Sequence, residues 1–159
     1  MNPIKLFLDL EDTVVDNWDD FLFLPSKCEK IKNFIKENNV IDVTIFSFAI
    51  DNEKDEAYFI KNHQEDLERI LDAKIVDIIT VEDMMKVLEF DSLGVSIYAF
   101  KIFGKQNVFL NCLYYADDNT VDYVLFDDMV ENVTVINHDH NNKIQLINID
   151  SWENSVNKY

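Results

Sequence analysis

At 159 residues, 48% of them hydrophobic, the chain has the length for one domain spanning residues 1–159 with a buried core. Its 31 Asp and Glu against 14 Lys and Arg leave a net charge of −17, a field that repels polynucleotides and argues against direct nucleic-acid binding. Disordered acidic chains lack aromatic residues, whereas twelve Phe, six Tyr and two Trp here point to a packed interior under an acidic coat.

Ile4 to Leu8 is a nearly continuous apolar run, the pattern of a buried parallel strand, and it stops at the polar cluster Asp9, Glu11, Asp12, Thr13. The run is too short for a signal peptide, and no later stretch approaches the roughly 18 apolar residues of a membrane span. The expected location is the cytoplasm, without membrane contact. Pro25-Ser26 follows an aromatic patch, Trp18 and Phe21 to Leu24, that forms at most a small flap near Asp16 to Leu24. Ser26 is expected to cap a helix running to about Asn38, on which Cys28, Ile31, Phe34 and Ile35 recur at helical spacing.

Val40 to Phe46 is rich in β-branched residues and closes at Ser47. The polar-apolar pattern from about Glu53 to Leu71 predicts a long helix that buries Tyr58, Phe59, Leu67, Ile70 and Leu71. Ile75 to Val81 reads as a third strand and Glu82 to Leu88 as a short helix. No single period governs Phe90 to Phe103. A helix over Gln106 to Tyr115 breaks at Asp117-Asp118-Asn119. Tyr123 to Phe126 is a strand ending in Asp127-Asp128, and Val133 to Ile136 and Ile144 to Ile149 are two more, joined by the polar turn His138 to Lys143. Cys28 and Cys112 lack metal-ligand spacing and read as buried thiols, and His138 and His140 as solvated turn residues.

Alternating strands and helices imply an α/β fold, a Rossmann-like three-layer α/β/α sandwich around a mostly parallel sheet. Ligands in such sheets bind just beyond the carboxyl ends of the strands. Three apolar runs, ending at Leu8, Phe46 and Phe126, deliver polar residues to that edge. With two glycines in the chain, no glycine-rich phosphate loop competes for the role.

Phe7-Leu8-Asp9-Leu10-Glu11-Asp12-Thr13-Val14-Val15 resembles the first motif of the haloacid-dehalogenase-like phosphatases, a strand leading into Asp-x-Asp-(Gly or Asp)-Thr-(Leu or Val). Thr44-Ile45-Phe46-Ser47 looks like the second motif and Tyr123 to Asp128 like the fourth, in the family's order. Lys105, with Lys101 as its competitor, suits the third-motif lysine. The resemblance implies a magnesium-dependent phosphomonoester hydrolase with an open cleft. Asp9 would be the nucleophile and Glu11 the acid-base group. Asp9, Asp127, Asp128 and the Glu11 main-chain carbonyl would hold the metal. Thr13, Ser47 and Lys105 would hold the phosphoryl group of a phosphorylated substrate.

Glu11 departs from the family pattern, which has aspartate there. Its extra methylene displaces the carboxyl group by on the order of 1 Å, enough to cost about a hundredfold in rate. That departure and the charge support an alternative expectation, a catalytically weak or inactive acidic protein on the same scaffold that binds a basic protein partner and so mimics nucleic acid.

Overall fold

The apolar run Ile4–Leu8 forms strand β1, paired in parallel on one side with β2 (Val40–Phe46) and on the other with β4 (Asp122–Asp127). A strand paired on both edges and covered on both faces is mostly apolar, and here Lys5 alone departs from that, half-buried and paired with Asp118. In the computed structural model, which describes residues 2–114 and 118–152, these strands belong to a six-stranded sheet. Its order is β3-β2-β1-β4-β6-β5, with β3 (Ile75–Ile79) and β5 (Val133–Asn137) at the edges. β5 is antiparallel to β6 (Asn142–Asn148), joined to it by a hairpin turn, while all other pairings are parallel.

Six α-helices accompany the sheet among the described residues: α1 (Pro25–Glu37), α2 (Glu53–Phe59), α3 (Glu65–Leu71), α4 (Val81–Val87), α5 (Ile97–Lys101) and α6 (Lys105–Tyr114). None is long and apolar enough to cross a membrane. Strand alternation divides the core between the two faces of the sheet. Leu6, Leu8, Val124 and Phe126 pack with Cys28, Ile31 and Phe34 of α1 and with Leu67 and Leu71 of α3. Phe7, Tyr123 and Leu125 pack with Met84 and Met85 of α4, Phe100 of α5 and Phe109 of α6. Phe109 meets Phe7 and Phe46 edge-on, at ring-centre distances of 5.1 and 5.3 Å, the favoured geometry of aromatic pairs.

Several boundaries differ from expectation for identifiable reasons. α1 starts at Pro25, not through a Ser26 cap: Leu24 is the N-cap residue without a side-chain bond, and proline at the first helical position has a preset φ and no N–H left unmet. β3 stops at Ile79 because Thr80 closes a capping box with Asp83 and starts α4 at Val81. The predicted helix over Glu53–Leu71 is interrupted by a π turn at Ile60–Gln64. Tyr58, expected in the core, is half exposed and lies against Trp18 at 5.8 Å. The segment without a single period is a 3₁₀ turn (Asp91–Leu93), a left-handed Gly94 and the short helix α5 capped by Ser96. The expected helix end at Tyr115 and the break at Asp117 lie outside the described residues.

Candidate active site

Two neighbouring strand ends supply the acidic residues. Asp9 directly follows β1, and its N–H donates to Phe126 O of β4 at 3.1 Å, so the ladder fixes its backbone. Asp127 ends β4 and Asp128 follows it. Asp9, Asp127 and Asp128 each offer a carboxylate oxygen, and these oxygens lie within 4.8 Å of one another. Lys105 opens α6 just after Gly104, whose φ of +80° turns the chain from α5. Its Nζ lies 2.7 Å from Asp9 Oδ1 and 2.8 Å from Asp127 Oδ2. On its other side the ammonium sits 4.9 Å from the centre of the Phe48 ring.

The remaining oxygens of Asp9 and Asp127 are also held. Thr13 Oγ1 donates to Asp9 Oδ2 at 3.1 Å, and Met129 N–H donates to Asp127 Oδ1 at 2.7 Å. Burial would lower the Lys105 pKa, but attraction to Asp9 and Asp127 outweighs it and holds the ammonium above the ordinary lysine range. Burial, aided by repulsion from Asp9, pushes Asp127 up against the opposing pull of Lys105. Asp128 is pushed up to about 7 by burial, by repulsion from Asp9 and Asp127 and by a hydrogen bond to Asp9. One cation among three crowded carboxylates leaves a site that favours further positive charge. Its all-oxygen donor set is of the kind that could hold a hard divalent cation.

The loop after Asp9 is wound tightly on Leu10 O, which accepts the N–H groups of Thr13, Val14 and Val15 at 3.2, 2.9 and 3.1 Å. Asp12 takes φ +59°, a left-handed conformation that aspartate tolerates better than most side chains. Lys27 Nζ donates to Asp12 O at 2.6 Å and pairs with Asp150 at 2.7 Å, tying α1 and the segment after β6 to this loop. Glu11 Oε2 accepts the Trp18 N–H at 2.9 Å. Trp18, Phe21 and Phe23 of the flap pack inward and Leu22 outward. His63, in the π turn, stacks on Phe21 with ring centres 3.7 Å apart and clamps the flap from behind.

Asp9, Glu11, Ser47, Lys101, Lys105 and Asp128 line a cleft of about 410 Å3. Of the residues expected to hold a phosphoryl group, Ser47 and Lys105 line it. Thr13 does not: it is fully buried, with its hydroxyl on Asp9. Ser47 Oγ accepts the Ala49 N–H at 3.1 Å and keeps its own hydrogen to donate. The two lysines differ in position: Lys101 pairs with Asp51 at 2.7 Å, on the cleft wall, and Lys105 joins the carboxylates. His138 and His140 are exposed in the β5–β6 turn and do not border the cleft.

Among the wall residues that sequence reading missed are Phe48, Phe103, Asn107 and Met129. Phe48 and Met129 directly follow Ser47 and Asp128, so adjacency was an available signal for both. Compared with known proteins, the chain matches no family model, no curated protein and no solved structure.

Proposed function

We propose that this chain is a magnesium-dependent phosphomonoester hydrolase of the haloacid-dehalogenase-like type, a three-layer sandwich acting in the cytoplasm through an aspartyl-phosphate on Asp9. The observation that carries the reading is the meeting of Asp9, Lys105, Asp127 and Asp128, far apart in sequence, beyond adjacent parallel strand ends.

In the first step an Asp9 carboxylate oxygen attacks phosphorus as the bond to the leaving oxygen breaks, and Glu11 gives that oxygen a proton. In the second, Glu11 takes a proton from water, the water oxygen attacks phosphorus, and the Asp9–phosphorus bond breaks to release phosphate and restore the carboxylate. Lys105 and Thr13 hold the two Asp9 oxygens and fix the plane of the nucleophile. The Ser47 hydroxyl donates to a phosphoryl oxygen. Asp9, Asp127, Asp128 and the Glu11 carbonyl would hold magnesium, for which hard oxygen donors fit. Bound there, magnesium supplies charge neutralisation between the carboxylates and an anionic substrate.

The test is magnesium-dependent hydrolysis of p-nitrophenyl phosphate by purified wild type and Asp9→Asn, matched for purity. Activity in the wild type that Asp9→Asn abolishes supports the reading. Equal rates in both would remove Asp9 as nucleophile.

A second reading, an acidic protein that occupies a basic protein partner, is favoured by the tie between Glu11 and Trp18 N–H and by the net charge of −17. It predicts capture of a partner that releases as salt rises. Robust hydrolysis with no salt-sensitive partner would dispose of it.

A further inference from the structure

A second hollow lies beside the cleft. Phe103 and Asn107 border both spaces, and the hollow, of about 490 Å3, is walled further by Phe90, Phe100, Val108 and Tyr114. A ladder of rings joins the two. Phe48, beneath the Lys105 ammonium, lies 6.3 Å from Phe100, which lies 6.4 Å from Phe103, and Phe103 lies 5.1 Å from Phe90. In a chain that is 28% charged, none of the described residues lining this hollow carries a charge. Its volume is that of a small-molecule site, and its composition, mostly apolar with a few amides, is the usual one for such sites.

The cations of the cleft are already committed, Lys105 to Asp9 and Asp127 and Lys101 to Asp51. Beyond the phosphoryl group itself, affinity for a substrate must therefore come from apolar contact and not from further negative charge. Two amides shape the rim. Asn107 Nδ2 donates to Phe103 O at 3.0 Å and Asn111 Nδ2 to Asn107 O at 2.7 Å, so each amide commits one N–H to the chain and retains an oxygen and a second N–H.

We propose that this hollow seats an aromatic leaving group, so that the substrate class is an aromatic phosphomonoester whose ring stacks beside Phe103 while its phosphoryl group meets Asp9. This rests on the phosphatase reading above. Phe103 is half exposed, so its truncation leaves the core in place.

The test uses 1-naphthol, which carries no phosphate, followed by amide shifts in NMR, together with kinetics on 1-naphthyl phosphate and glycerol 1-phosphate. We expect naphthol to shift amides within residues 88–114. Phe103→Ala should weaken that binding about tenfold, and Phe103→Tyr, which keeps the ring, should restore it. Wild type should prefer naphthyl phosphate, and Phe103→Ala should lower the ratio of the two kcat/KM values through KM. Naphthol shifts absent from that segment, with both esters hydrolysed alike, would overturn the subsite and leave the phosphatase reading standing. Naphthol bound in the hollow with neither ester hydrolysed would overturn the proposal from the other side, by removing the chemistry it serves.

Discussion

Lys105 Nζ lies 2.8 Å from Asp127 Oδ2, and both side chains are buried, so the charge of each depends on the other. Removing one partner of a buried pair leaves the other charge without compensation, at a cost of about 3–5 kcal/mol. Lys105→Met should therefore lower stability by roughly 3 kcal/mol in urea unfolding without metal. Magnesium should raise the melting temperature of Lys105→Met more than that of the wild type, since a cation held by the same carboxylates replaces the lost charge. Equal stabilisation of both proteins would show that the metal does not enter this cluster.

Glu11 separates acid-base chemistry from loop structure. Glu11→Gln keeps an oxygen for the Trp18 N–H but loses the ionisable carboxyl group. We expect hydrolysis to fall by about 10²- to 10⁴-fold with little change in melting temperature. Glu11→Asp restores the residue type of the resembled family and should raise the rate by up to about a hundredfold. Unchanged rates in both variants would mean that another group handles the proton.

Asp128 makes the metal-free protein sensitive to pH. Its pKa in the fold, about 7, lies above the ordinary carboxylate value of 3.8, so between those values the folded chain holds more protons than the unfolded one. The contribution of this group to stability is therefore complete at low pH, declines as pH rises through the window and is lost above about 7. Thermal melts in chelator from pH 4.5 to 8 should show this decline for the wild type and a flatter profile for Asp128→Asn. Because magnesium needs the ionised carboxylate, its affinity should rise over the same interval.

At Asp12 the φ of +59° tolerates aspartate, suits glycine and excludes β-branched side chains. Asp12→Val should cost about 1–2 kcal/mol in chemical denaturation, and Asp12→Gly should be within about 0.5 kcal/mol of wild type. A Val variant as stable as the wild type would mean that the loop rewinds at little cost.

The sequence was most legible where one strong signal acts alone. Ile4–Leu8 is apolar except at Lys5 because both edges of β1 are paired and most of its side chains are buried, and its end at Asp9 is marked by the change to polar residues. Ser47 and Asp127-Asp128 were readable in the same way. Thr13 was harder to place, because a hydroxyl near a carboxylate can serve a ligand or the carboxylate itself, and only the winding of the loop on Leu10 O decides between them. Phe103 lay hidden for a different reason. The apolar residues from Phe90 to Phe103 are spread over a 3₁₀ turn, a left-handed glycine and a five-residue helix, so no period joins them although they share one cluster of rings. Tyr58 was misread because successive helix residues point about 100° apart, so with Phe59 fully buried its neighbour turns outward.

The order of the strands also bears on how the site is lost. β1 is flanked by β2 and β4, which are themselves flanked by β3 and β6, so the backbone that carries Asp9 and Asp127 lies in the interior of the hydrogen-bonded ladder. Interior strands open only when the whole molecule opens, whereas edge strands and surface turns fray on their own. Amide protons of Leu6, Leu8 and Val124 should accordingly exchange with solvent deuterium last, on the timescale of global unfolding. A warmed sample should then divide into molecules with the carboxylate framework whole and molecules with none.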